Sequence, residues 1–371
     1  MTDEKLFIGM DLHQRTSTFA VKDRDGRKIS EATVETDRDA ITMFIRSLPS
    51  PCLSIALEPV SQWYVYADHL QGLGCEVHLA HPLRVKAIAS ARVKTDTIDA
   101  GVLCDLLRSN LLPEAYFSSK EVRSWKEVVR YRAQVIHQRA QVKNQLHAIL
   151  HKNGVRHEFS DLFGKKGIVW LNRLEIPEPF RTNLTEHLRT LDWLNERIVD
   201  ADRRVEALVH SHPQAELLTT IPGISFVSAL TIIAEIGDIT RFKSPKKLMG
   251  YAGLVPSTSS SGGRTTHGRI TKQGSKWLRW IMVEVAQKQQ LCRRTIGLSP
   301  YFNRIKARKG TNPATVATAR KLLAVIWRML TDNRPFSMTP PDRHGRRPEV
   351  IPPSSARPLA EVLSSPVSST S

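Results

Sequence analysis

The chain has 371 residues, with 54 Lys and Arg against 36 Asp and Glu, for a formal net charge of +18 at pH 7 and 41% hydrophobic residues. That length and apolar content suit two or three domains with real cores, and the positive excess points to a polyanionic partner, nucleic acid first. No apolar run approaches the roughly 18–20 residues needed to span a bilayer, and the opening MTDEKLFIGMDLH lacks the basic-then-apolar pattern of a secretory signal.

Residues 5–22 read as two strands, with Asp23-Arg-Asp-Gly26 as a hairpin turn and Lys28 to Thr36 as a third strand. Thr36-Asp37-Arg38-Asp39 offers an N-cap for a helix through Leu48. Cys52 to Leu57 is a near-continuous apolar run, typical of a strand buried on both faces, and it ends at Glu58. A helix from about Gln62 to Gly72 and a short strand from Glu76 to Ala80 complete a mixed α/β pattern.

Four carboxylates stand out in this half. Asp11 ends the first strand and Glu58 the fourth, while Asp96 and Asp99 open a helix whose apolar repeat runs through Val102, Leu103, Leu106 and Leu107. Acids in a first helical turn are ordinary, because the macrodipole favours them. If the first and fourth strands are neighbours, however, all four converge at one sheet end. Such a group repels itself unless cations bridge it, and its oxygen ligands suit Mg²⁺ or Mn²⁺. A two-metal carboxylate site is a standard device for phosphoryl transfer. His13 and Lys94 lie beside these acids in sequence and read as solvated polar residues.

Residues 114–153 change character. An apolar stripe from Trp125 to Ile149 is flanked by basic residues that include Arg130 and Lys143, giving a long basic helix that Asn153-Gly154 ends. A second helical stretch, Leu184 to His210, is closer to sign-balanced and reads as packing or dimerisation, in a hairpin or an intermolecular coiled coil. From Leu217 a helix, an Ile-Pro-Gly-Ile turn centred on Gly223 and a second helix resemble a helix-hairpin-helix binder of DNA backbone, in which free N–H groups face a phosphate. Phe242, Leu248, Met249 and Tyr251 read as core.

Gly253-Leu-Val-Pro256 then leads into Ser257-Thr-Ser-Ser-Ser261-Gly-Gly-Arg264, followed closely by Arg269, Lys272 and Lys276. A hydroxyl run beside clustered cations fits a nucleophile whose transition-state charge is stabilised, and equally a flexible linker or a phosphate-gripping loop. A closing amphipathic helix runs from Ala314 to Leu330, and residues 335–371 read as a disordered Pro/Ser/Arg/Thr tail.

The blocks GMDLH, ALEP and KTDTIDA, with GLVPSTSSSGGRTTHGRITKQGSKWLRW in the second half, resemble the DEDD-type insertion-sequence transposases of the "IS one-ten" group. The resemblance covers nearly all of residues 5–330, although Ser225 stands where the family often has glycine. It implies a ribonuclease-H/RuvC-like catalytic domain over 1–113, a helical coiled-coil region over 114–213, and a C-terminal helical transposase domain with a catalytic serine loop over 214–334. It implies Asp11, Glu58, Asp96 and Asp99 as a metal-binding catalytic tetrad. It also implies a nucleophilic serine directly before the glycine pair, Ser261, with Ser260 as the alternative. The expected activity is cutting and rejoining of DNA through a phosphoserine link, with element ends and target as substrates and an element-encoded RNA as guide.

Arg130, Lys143, Gly223, Arg264, Arg269, Lys272 and Lys276 are the expected nucleic-acid contacts, and a homo-oligomer, dimer or tetramer, is expected to complete the site. The alternative is a junction-resolvase-like, metal-dependent nuclease without a covalent intermediate. Cys52, Cys75, Cys104 and Cys292 are scattered, with no C-x-x-C pair, which fits a reducing cytoplasm. For a DNA-acting protein of this class, association with the nucleoid is expected.

Overall fold

A computed structural model describes residues 4–88, 96–261, 264–291 and 297–337. Lys94, Cys292 and most of the expected tail (338–371) lie outside the described residues. The chain forms two compact units, Met1–Ser118 and Ser119–Ser371.

The first unit is built on a five-stranded sheet in the order β3-β2-β1-β4-β5. Its strands are β1 (Leu6–Leu12), β2 (Thr16–Lys22), β3 (Lys28–Glu35), β4 (Leu53–Leu57) and β5 (Glu76–Leu79). The first three form an antiparallel meander, whereas β1, β4 and β5 run parallel. Helices α1 (Arg38–Ser47) and α2 (Trp63–Gly72) connect them, and α3 (Pro82–Ile88) and α4 (Asp96–Arg108) follow. Asp37 caps α1 by accepting from the backbone N–H groups of Asp39 and Ala40, as its sequence position implies.

The two sheet faces are packed differently. Alternate residues Ile8, Met10, Leu12, Ile55 and Leu57 join Ile41, Ile45 and Leu70 from α1 and α2 in one apolar core. The opposite face is paved with small residues, Gly9, Ala20 and Ala56, against which α4 lays Ala100, Leu103 and Cys104. The Cys104 thiol donates to the Phe7 carbonyl at 3.1 Å, and the Lys22 ammonium pairs with Asp105 at 2.7 Å, so α4 is tied down along its length.

The second unit is mostly helical. The long helices α5 (Lys120–Lys152) and α7 (Phe180–His210) pack antiparallel, with Arg132 paired to Asp202 and Arg139 donating to Asn195. The short helix α6 (Lys165–Arg173) lies in the connector between them, and Leu171 joins Leu146, Leu150, Leu184, Leu188 and Leu191 in a core at that end of the pair. The rest comprises α8 (Pro213–Thr219), α9 (Phe226–Ile236), a 3₁₀ turn (Ile239–Arg241) and α10 (Pro245–Tyr251). It continues through β6 (Pro256–Ser261), β7 (Arg264–Ile270), α11 (Lys276–Lys288), α12 (Ser299–Lys309) and α13 (Thr311–Asp332). Its core gathers Leu230 and Ile233 of α9, Leu278 and Met282 of α11 and Leu322 and Ile326 of α13 around Trp125 of α5.

The expected serine loop is instead a two-stranded antiparallel hairpin, in which Ser261 pairs with Arg264, Ser260 with Thr265 and Ser259 with Thr266. Its threonines favour extended backbone, and Gly262-Gly263 is a strong hairpin signal that the sequence reading passed over.

Candidate active site

Strand alternation puts Asp11 on the same face of β1 as Gly9, the face that carries α4. Met10 is in register with Leu57 on the parallel neighbour β4, so the next residues, Asp11 and Glu58, end adjacent strands side by side. Gly9 lets α4 sit directly on the sheet: a Cβ there would stand 1.9 Å from the Ala100 carbonyl oxygen. Asp96 lies one turn before Ala100 and Asp99 directly before it, so this close approach brings both toward the Asp11 end of the strand.

Side-chain geometry brings two of these acids, Asp11 and Asp96, together with a histidine. Among the described residues, Asp11, His13 and Asp96 form a group whose ligand atoms all lie within 4.8 Å of one another. The His13 Nε2 is 3.1 Å from an Asp11 carboxylate oxygen and 3.5 Å from one of Asp96. Burial pushes the Asp11 carboxyl above its usual range, His13 opposes that shift, and the charges of Asp96 and Asp99 reinforce it. Asp11 is largely shielded, with its side chain 17% exposed, while Asp96 is open to solvent at 60%. Carboxylate oxygens and an imidazole nitrogen at this spacing are a fitting donor set for a divalent cation.

His13 is the residue that sequence reasoning set aside. Its signal was the i, i+2 spacing from Asp11, which keeps both on one side of an extended chain. The Gln62 amide donates to the His13 carbonyl at 2.7 Å and so holds the turn after β1 in place.

In the second unit Ser261 closes β6 opposite Arg264, and Gly262-Gly263 lie outside the described residues. Arg269 is exposed near the end of β7, and Lys276 is exposed at the start of α11. Lys272 adopts a left-handed conformation (φ 54°), its N–H donating to the Gly253 carbonyl at 3.1 Å. Gly223 (φ 87°) makes the expected turn, closed by the Ile224 N–H on the Ile221 carbonyl at 3.0 Å. The buried Gln289 amide clamps that turn by donating to the Pro222 carbonyl at 2.5 Å. Lys143 sits over the Phe163 ring, 4.6 Å from its centroid.

Arg130 is engaged inside the fold: it donates to Glu235 at 3.1 Å and stacks over Trp277. Glu235, 4% exposed at the end of α9, also accepts from the Ser275 hydroxyl at 2.8 Å. Ser275 is in turn the N-cap of α11, accepting from the Leu278 N–H at 3.0 Å. This acid links α5, α9 and the turn that carries Lys272 to Lys276. The sequence reading missed it, although a lone carboxylate in the run Ile232-Ile-Ala-Glu-Ile236 was visible.

Comparison with known proteins fixes the class. Residues 8–153 match a DEDD transposase model of the IS110 type, and residues 215–299 match the Transposase IS116/IS110/IS902 family. The transposase for insertion sequence element IS1328 of Yersinia enterocolitica is 27% identical over 342 residues, covering 89% of this chain and 98% of that protein. A probable family 20 transposase of Pseudomonas aeruginosa is 26% identical over 330 residues, covering 87% and 96%. The transposase for insertion sequence element IS1111A of Coxiella burnetii is 23% identical over 338 residues, covering 89% and 91%.

The chain is thus an enzyme that acts on DNA, a transposase of insertion-sequence type. The two matches and these relatives together support a DEDD transposase of the IS110 type. The DEDD match implies a ribonuclease-H/RuvC-like fold, which the five-stranded mixed sheet fits, and DEDD-type domains generally use divalent metal ions. Among the described residues no helix is long and apolar enough to cross a membrane.

Proposed function

We propose that this transposase cuts and rejoins DNA through a serine nucleophile, Ser261, assisted by a cation site of Asp11, Glu58, Asp96 and Asp99. The gathering of Asp11, Asp96 and Asp99 around one strand end, with Glu58 on the adjoining one, is the observation that carries this reading. Hard oxygen donors favour Mg²⁺, with Mn²⁺ as a substitute, and such an ion supplies electrostatic stabilisation to phosphoryl oxygens.

The Ser261 Oγ attacks a phosphodiester phosphorus, the P–O3′ bond breaks, and a 3′-hydroxyl departs, leaving a phosphoserine bond to the 5′ end. Attack by another 3′-hydroxyl on that bond releases the serine and joins the strands, so one bond is exchanged for another and no ATP is needed. Arg264, Arg269, Lys272 and Lys276 grip phosphates near the hairpin, while Arg130, Lys143 and Gly223 contact nucleic acid further along. In that scheme Arg130 acts from its place against Glu235.

The further organisation follows the same reading. Residues 114–213 form the coiled-coil region, and 214–334 the transposase domain with its helix-hairpin-helix-like turn. Acids and serine come from different parts of the chain, so a dimer or tetramer completes the site, guided by an element-encoded RNA in the nucleoid-associated cytoplasm. Cleavage of element-end DNA in Mg²⁺ tests the cation site: Asp96→Ala and Glu58→Ala should abolish cutting while leaving DNA binding intact. Cutting that persists in both variants, or in chelator, would overturn it.

A further inference from the structure

A groove of about 1090 Å³ runs between the β7 end of the serine hairpin and helices α12 and α13. Its walls carry Arg269, Lys272, Arg308, Lys309 and Arg320, and no carboxylate lines it among the described residues. None of these five cations forms an ion pair among the described residues. Between them the floor is aliphatic, with Leu254, Ile270, Ile305 and Val316. Concentrated like charge around a concave surface is unfavourable in the free protein and becomes favourable against a polyanion.

The shape narrows the choice of polyanion. A two-walled cleft with cations on the rim and an apolar floor suits one strand, whose phosphates follow the rim while sugar and base faces cover the floor. A duplex presents only stacked bases behind two phosphate rails and leaves such a floor uncovered. The hairpin also steers toward the groove. A register shift between Pro256 and Thr258 sets Ser257 against Gly268, where a Cβ would lie 2.4 Å from the Ser257 hydroxyl, and the irregularity bends β7 just before Arg269. Gly268 is four residues along β7 from Arg264, about 13 Å, so the groove begins a short way from the Ser261 end of the hairpin.

We propose that this groove holds single-stranded DNA beside the point of cutting, with Arg308, Lys309 and Arg320 as binding residues and the aliphatic floor selecting an unpaired strand. The placement beside the cut rests on the serine reading given above; the preference for a single strand does not. The test is fluorescence anisotropy of the full-length protein, in chelator, with a labelled single-stranded oligodeoxynucleotide, its duplex, and RNA of the same sequence. Arg308→Ala with Lys309→Ala should weaken single-stranded DNA binding about tenfold and lower its salt slope by about 1.4, the value for two lost phosphate contacts. Duplex binding should change far less. Arg269→Ala, on the opposite wall, should show the same selectivity.

Unchanged single-strand affinity in these variants, or an equal loss on duplex, would overturn the proposal. A larger loss on RNA than on DNA would also overturn it and assign the groove to RNA. Binding is read in chelator, where no cutting is required. A chain in which Ser261 proves dispensable for cutting would therefore leave the groove's strand preference standing on its own result.

Discussion

Gly9 and Ala100 touch backbone to backbone: a Cβ on Gly9 would stand 1.9 Å from the Ala100 oxygen and 2.6 Å from the Cys104 nitrogen. No side chain can yield there, because both colliding groups belong to the α4 backbone. The position of Asp96 and Asp99 near Asp11 therefore depends on the absence of a methyl group two residues earlier in β1.

Gly9→Ala should destabilise the protein by about 1–3 kcal/mol, the usual range for overpacking. It should also impair cation binding beyond what that loss explains, since α4 must lift from the sheet. Urea unfolding gives the first quantity and Mg²⁺-induced thermal stabilisation the second. A variant with wild-type stability would show that α4 does not sit as described.

Asp11 carries a second prediction. Its carboxyl is pushed upward, by burial first, so in the folded chain it favours protonation more than it does unfolded. Its contribution to stability is fully present below the unfolded value and is lost as pH rises through the folded value. Once ionised, and without cation, Asp11 opposes folding. Asp11→Asn should accordingly melt at a higher temperature than wild type in chelator, yet gain little when Mg²⁺ is added. A lower melting temperature in chelator would contradict this.

Glu235 ties Arg130 and Ser275 together from a buried position. Glu235→Ala strands the partners of a buried carboxylate, and the expected cost is about 1–3 kcal/mol. Glu235→Gln keeps the shape and one acceptor and should recover part of that. Equal stability of the two variants, measured by denaturant midpoint, would remove the charge from the account.

The paired helices separate packing from surface charge. Leu146, fully buried between α5, α6 and α7, should cost about 2–5 kcal/mol on truncation to Ala. Asp202→Ala removes a partly exposed pair with Arg132 and should cost less than about 1 kcal/mol. Thermal or chemical unfolding distinguishes them, and a reversed order would mean that charge holds the pair together.

Much of the first unit was legible because its signals are local. Alternation, the Asp23–Gly26 turn and the Asp37 cap defined β1 to α1 within a residue or two. In the sequence the adjacency of the first and fourth strands is only a condition; the structure pairs β1 and β4 in parallel, which no short-range pattern dictates. What stayed hidden depended on distant partners. His13 looked solvated until Asp96 was brought beside it, and Arg130 looked free until Glu235 was placed, more than a hundred residues away. The serine hairpin was hidden for another reason: serine and glycine dominate the segment, and their flexibility masked a strand pairing that the glycine pair in the sequence signals.

The central claim is that a serine and a carboxylate cation site act together on DNA. It is tested most directly on a denaturing gel, after incubating the protein with element-end DNA, target DNA, a transcript of the flanking region and Mg²⁺. Wild type should give a covalent protein–DNA adduct that is lost in Ser261→Ala and in Asp96→Ala but retained in Ser260→Ala. Metal-dependent cutting that survives Ser261→Ala without any adduct would contradict the account and make the enzyme a resolvase-like nuclease that uses water.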